Sequence, residues 1–173
     1  DAGGTPDIVF GAIGAPCAGS IGQCGYLRCY SAETGLVLWH NSGSQSYEYP
    51  YHSTVVTDVN GDDLRDVLTT SGYLVARLWS GLNGSQISTL PGSHYEVAAL
   101  GDVNGDGVPD YATADHGEPT FVNNGRISVW SGAPVPTPLV TFAGAGCGAL
   151  SSPVLTVVNP RLGASASVSI TGA

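Results

Sequence analysis

The stretch DVNGDGVPD, residues 102–110, recurs as DVNGDDLRD at residues 58–66; Asp58 and Asp102 are 44 residues apart, as are Asp66 and Asp110. Both copies follow D-x-N-x-D-G-x-x-D, save that Asp63 stands where the second copy has Gly107. Calcium takes six to eight oxygens at about 2.3–2.6 Å, so a short loop must bend round it and offer several in succession. In such a loop positions 1, 3, 5 and 9 offer side chains and position 7 a carbonyl. Here these are Asp58, Asn60, Asp62, Leu64 (carbonyl) and Asp66, then Asp102, Asn104, Asp106, Val108 (carbonyl) and Asp110. Three carboxylates held together in each loop are costly without a cation. Magnesium suits the pattern less, because it keeps its waters and demands octahedral geometry. An EF-hand would need an acidic residue at position 12 and a helix after it. Position 12 is Thr69 or Thr113, in β-like text, which removes that reading. A pair of Asx-rich turns that bind nothing is the bland alternative, and the duplication weighs against it.

Each loop opens a longer repeat. An alternating apolar run follows it (66–70, 110–114), then a variable loop, then a Gly-led run (72–80, 125–131) in which Trp79 or Trp130 precedes Ser-Gly. The N-terminal text fits the same frame: PDIVFGAIGAP matches the first run and GYLRCYSAETGLVLW the second, with Tyr30 in the Trp place and Ser31-Ala32 in the Ser-Gly place. Asp7 then aligns with the ninth loop position, so Asp1 to Asp7 reads as part of a third, incomplete calcium loop. The frame divides the chain into 1–55, 56–97 and 98–150. Residues 151–173 lack acidic residues and any echo of the repeats, and read as a separate β segment with strands at 154–158 and 164–170.

Period-2 alternation in LVLW, ISVW and DIVF, with Asn-Gly pairs at 60, 83, 104 and 124, gives short strands and tight turns. No stretch carries helical period and caps. The fold class is all-β.

The chain has 14 Asp plus Glu against 5 Lys plus Arg, a net charge of -9, which argues against nucleic acid and anionic membranes as partners. Charged residues make up only 11%, a composition of secreted β-rich proteins. No apolar run reaches the roughly 20 residues of a membrane span. The chain holds no Met and no leader-like segment, so a processed product or a fragment is expected.

Cys17, Cys24, Cys29 and Cys147 show no zinc-ligand spacing. An even count in a charge-poor chain favours two disulfides and an oxidising compartment, with three connectivities open. The Gly-rich loop favours Cys17–Cys24, leaving Cys29–Cys147; free buried thiols are the alternative. Asn83-Gly84-Ser85 is a glycosylation sequon in a turn.

Nothing gathers a catalytic set. His40, His52, His94 and His116 are scattered, and Ser31, Ser80 and Ser131 sit outside any G-x-S-x-G elbow and read as turn formers. No spacing pairs Glu33, Glu48, Glu96 or Glu118 as a glycosidase's carboxylates. Trp39, Trp79 and Trp130 read as packing residues, and Tyr47, Tyr49 and Tyr51 as an alternating run that could face a sugar.

Phe10-Gly11 followed by Gly14-Ala15-Pro16, with D-x-N-x-D-G-x-x-D loops opening the units, resembles the FG-GAP repeats of integrin-α-like β-propellers over roughly residues 1–145. The resemblance implies four-stranded blades with calcium between strands, and a binding or scaffolding role without catalysis. Propellers need about four to eight blades to close, and about three repeats make an incomplete ring. The expectation is therefore a secreted or cell-surface calcium-stabilised module with a structural, adhesive or self-assembling role. Its partners would be copies of itself, other extracellular proteins or glycans. The competing expectation is a carbohydrate-binding or accessory module of a polysaccharide-active enzyme.

Overall fold

The computed structural model describes residues 4–16, 22–43, 50–71, 75–115 and 125–132, with strand backbone at 138–143 and 154–157. Described residues form strands and turns only, in three antiparallel sheets, none closed. The first sheet holds β1 (Ile8–Ala12), β2 (Tyr26–Tyr30) and β3 (Val37–Ser42). The second holds β4 (His52–Val55), β5 (Val67–Thr70), β6 (Ala76–Trp79) and β7 (Gln86–Thr89). The third holds β8 (Glu96–Ala99), β9 (Tyr111–Asp115), β10 (Arg126–Trp130), β11 (Pro138–Ala143) and β12 (Val154–Val157). Each sheet is a meander, as short strands with tight turns require.

The three sheets are built alike in detail. The strand after each loop pairs with the strand before Ser-Ala or Ser-Gly in one register: Ile8 opposite Tyr30, Val67 opposite Trp79, Tyr111 opposite Trp130. The next strand pair slips its register at the same place each time, between Cys29 and Tyr30, Leu78 and Trp79, and Val129 and Trp130. A bulge that recurs at equivalent positions is a built feature. The following turns match too: Gly35 N–H donates to the Ser31 carbonyl at 2.8 Å, and Gly84 N–H to the Ser80 carbonyl at 2.8 Å. Both glycines carry φ of 72°.

Two features lay outside the sequence frame. The strand preceding each acidic loop, β4 or β8, pairs with the strand following that loop, so the loop connects neighbouring strands of one sheet. The segment beginning at Val154 does not stand apart: β12 pairs antiparallel with β11 and extends the third sheet. The run at 164–170 lies outside the described residues.

Strand alternation gives each sheet two faces, and the sheets pack face to face. Leu27, Cys29 and Trp39, with Val9 against them, meet Val67 and Trp79 in one core. The second core joins Leu68, Ala76, Leu78, Leu90, Val56 and Val59 to Tyr111 and Trp130. Every residue of β5 is buried, because Val67 faces one core and Leu68 the other. The second sheet is thus the middle layer of three. Its edge strand β4 lies against β8, where Tyr51 and Tyr95 rings sit 6.1 Å apart and Thr70 Oγ1 donates to the Tyr95 carbonyl at 2.8 Å.

Candidate metal centre

The loop at 58–66 is closed at its base by two backbone hydrogen bonds, Val56 N–H to the Asp66 carbonyl at 2.8 Å and Asp66 N–H to the Thr57 carbonyl at 3.3 Å. Inside, short polar side chains organise the backbone, which is why Asp and Asn are needed there. Asp58 Oδ1 accepts from Gly61 N–H (2.6 Å) and Asp62 N–H (3.2 Å), and Asp58 Oδ2 from Asp63 N–H (2.8 Å). Asn60 Oδ1 accepts from Asp62 N–H at 3.0 Å, and Asp62 Oδ1 from Leu64 N–H at 3.0 Å. Wrapped in this way, Asp58, Asp62 and Asp66 each bring a carboxylate oxygen within 4.8 Å of one another. Oxygens about 2.4 Å from a common calcium ion stand no more than about 4.8 Å apart, so the spacing suits one such ion.

Asp66 is fully buried. Its Oδ2 accepts from Val59 N–H at 2.7 Å and its Oδ1 from Gly81 N–H at 3.0 Å. Burial pushes the Asp66 carboxyl up; the two N–H bonds oppose this only in part, and the nearby Asp62 charge adds to it. Burial acts upward on Asp62 as well, but hydrogen bonds from Asn60, Ser80 and the Leu64 N–H outweigh it and hold that carboxyl below its ordinary range. Two carboxylates pushed apart in this way share a site that a divalent cation would relieve. The donor set is oxygen only, as calcium prefers.

The loop at 102–110 repeats these bonds. Asp102 accepts from Gly105, Asp106 and Gly107 N–H, Asn104 Oδ1 from Asp106 N–H, and Asp106 Oδ1 from Val108 N–H. Buried Asp110 accepts from Val103 N–H at 2.9 Å and Gly132 N–H at 3.1 Å. Among the described residues, however, only Asp58, Asp62 and Asp66 converge as a three-carboxylate set. The first residues of the Asp1 to Asp7 segment lie outside the described residues.

Some functional positions were hidden from sequence reasoning. Ser80 is a turn former, as expected, but its hydroxyl also donates to Asp62 Oδ2 at 2.9 Å. The glycine after it carries the N–H that grips Asp66. Thr69 and Thr113, whose identity argued against an EF-hand, accept the indole N–H of Trp79 and Trp130, both at 2.9 Å. The recurring Trp-Ser-Gly text was the available signal.

The cysteine expectation needs correction. Cys29 is a free thiol, buried in the core with Leu27 and Trp39, so the expected Cys29–Cys147 bond does not form. The reason is strand parity: Cys29 sits two residues beyond Leu27 on the face turned to the second sheet, and burial pushes its thiol up. Cys24 is disulfide-bonded. Cys17 and Cys147 lie outside the described residues.

The remaining candidates are dispersed. His40 bonds with Arg28 and Ser42 on the first sheet, and His52 Nδ1 lies 3.1 Å from Glu96 Oε2 where β4 meets β8. His94 is buried against Trp130. Asn83 is exposed in its turn, its Oδ1 accepting from Ser85 N–H at 2.8 Å. His116, Glu48, Glu118, Tyr47 and Tyr49 lie outside the described residues. No helix among the described residues is long and apolar enough to cross a membrane.

No protein-family model matches this chain, and no curated protein matches it.

Proposed function

We propose that this chain is a calcium-stabilised β-repeat module with a structural or adhesive role outside the cell, its stacked sheets serving as blades of FG-GAP type. The observation that carries the reading is the convergence of Asp58, Asp62 and Asp66 in a loop joining two strands of one sheet. Asp58, Asn60, Asp62 and Asp66, with the Leu64 carbonyl, would hold the ion. Asp102, Asn104, Asp106, Val108 and Asp110 would form a second site. The metal supplies charge neutralisation, and the protein supplies the folded loop.

Sheet stacking and the approach of β4 to β8 support blades that converge on one side. The Cys24 disulfide and the low charge support an oxidising, extracellular setting. A carbohydrate-binding role is the second reading; Tyr51, 37% exposed beside Tyr95, is the aromatic that favours it. Calorimetric titration of the purified chain with calcium tests the main reading. Uptake that falls on Asp58→Ala supports it, and absence of binding heat with retained fold rejects it.

A further inference from the structure

We infer that the turn from Ser80 to Ser85 couples calcium binding in the loop at 58–66 to the seating of the first sheet, with Trp39 and Asn41 as positioning residues. The inference rests on the calcium reading above and extends it to residues that touch no metal. On one side the turn holds the acidic loop. Ser80 Oγ donates to Asp62 Oδ2 at 2.9 Å, and Gly81 N–H donates to Asp66 Oδ1 at 3.0 Å. Two of the three converging carboxylates are therefore placed by this one turn. The turn is closed on itself, with Gly84 N–H donating to the Ser80 carbonyl at 2.8 Å and Leu82 N–H to Ser80 Oγ at 3.2 Å.

On its other side the same turn meets the first sheet. Trp39 Nε1–H donates to the Gly81 carbonyl at 2.8 Å, and Asn41 Nδ2–H donates to the Gly84 carbonyl. A Cβ on Gly84 would stand 2.6 Å from Trp39 Cε3, so the turn backbone lies directly against the indole. Trp39 is itself fixed in the core with Leu27, Cys29, Val67 and Trp79. Gly81 thus carries both links, its N–H on Asp66 and its carbonyl under Trp39. Coupling of this kind needs such a contiguous chain of bonded groups.

The third sheet supplies the comparison. Gly132 N–H grips Asp110 as Gly81 N–H grips Asp66. Ser88, opposite Leu78 just before the register slip, holds the place that Trp39 holds opposite Cys29. Its hydroxyl is buried and makes no hydrogen bond among the described residues. The loop at 102–110 lacks the indole brace, so the coupling belongs to the first loop.

The test is calorimetric titration of the whole chain with calcium, reading each loop alone. Asp106→Ala isolates the loop at 58–66, and Asp62→Ala isolates the loop at 102–110. Trp39→Phe keeps an aromatic ring and removes the donor. It should lower the affinity of the first loop about fivefold, as loss of one hydrogen bond does, and leave the second unchanged. Asn41→Ala should act in the same direction, and serves if Trp39→Phe perturbs the core. Coupling is reciprocal, so calcium should slow hydrogen exchange of the Trp39 indole N–H in Asp106→Ala but not in Asp62→Ala. Equal losses at both loops, no loss at the first, or indole exchange indifferent to calcium overturns the inference and leaves the calcium reading standing. No calcium uptake by the wild type rejects both.

Discussion

The Gly81 N–H donates to Asp66 Oδ1 at 3.0 Å, and a Cβ on Gly81 would stand 1.9 Å from the Arg65 carbonyl oxygen. Gly132 holds the same relation to Asp110 and to the Pro109 carbonyl, at 3.1 and 1.9 Å. The turn after Trp-Ser thus clasps the end of each acidic loop, and only glycine fits between two backbones that close.

Gly81→Ala should therefore destabilise the protein by about 1–3 kcal/mol, the range for forced overpacking, and should weaken calcium uptake by displacing Asp66. Leu82→Ala, in the same turn and 55% exposed, should be near neutral. Denaturant unfolding of the two variants side by side checks both effects.

Asp63 is the one non-glycine residue with positive φ among the described residues, at 66°, where the second loop has Gly107 at 86°. A left-handed residue with a Cβ costs about 1–2 kcal/mol, eased for Asp by local hydrogen bonding. Asp63→Gly should melt higher than Asp63→Ala by about 1 kcal/mol. The two variants remove the same charge, so their difference isolates the backbone. Thermal unfolding in the presence of calcium reads it directly.

His94 is buried, its Nε2–H donating to the Pro91 carbonyl at 3.2 Å and its ring edge-on to Trp130 at 5.7 Å. Burial holds its pKa below the ordinary 6.5, with Arg126 adding to that and the Pro91 bond and Asp115 opposing it. Below pH 6.5 the unfolded chain takes up a proton that the folded chain refuses, so stability falls as pH drops from 6.5 through the lowered folded value. His94→Gln should flatten this part of the stability–pH curve. Melting temperatures of both proteins between pH 7.5 and 5.5 provide the check, and parallel curves would count against it.

The acidic loops were legible because the spacing D-x-N-x-D-G-x-x-D is local: Asp58, Asp62 and Asp66, which converge in the structure, could be singled out without tertiary information. The all-β class followed from alternation and turn residues. The partners of the strands preceding the loops were not legible: HSTV and EVAA carry little periodicity, and their place next to β5 and β9 is decided by loop closure. Cys29 misled because counting cysteines ignores parity, and parity turns its side chain into the core. The grip of Gly81 on Asp66 joins residues 15 apart through one backbone N–H, which no side-chain pattern announces.

The central claim is that calcium in these loops stabilises the fold. Its most direct measure is the melting temperature of the purified chain in calcium and in excess chelator. A ligand at 100 times its dissociation constant stabilises by about 2.7 kcal/mol per site, so calcium should raise the transition clearly and Asp62→Ala should shrink the rise. Superimposable melting curves with calcium and with chelator would contradict the account.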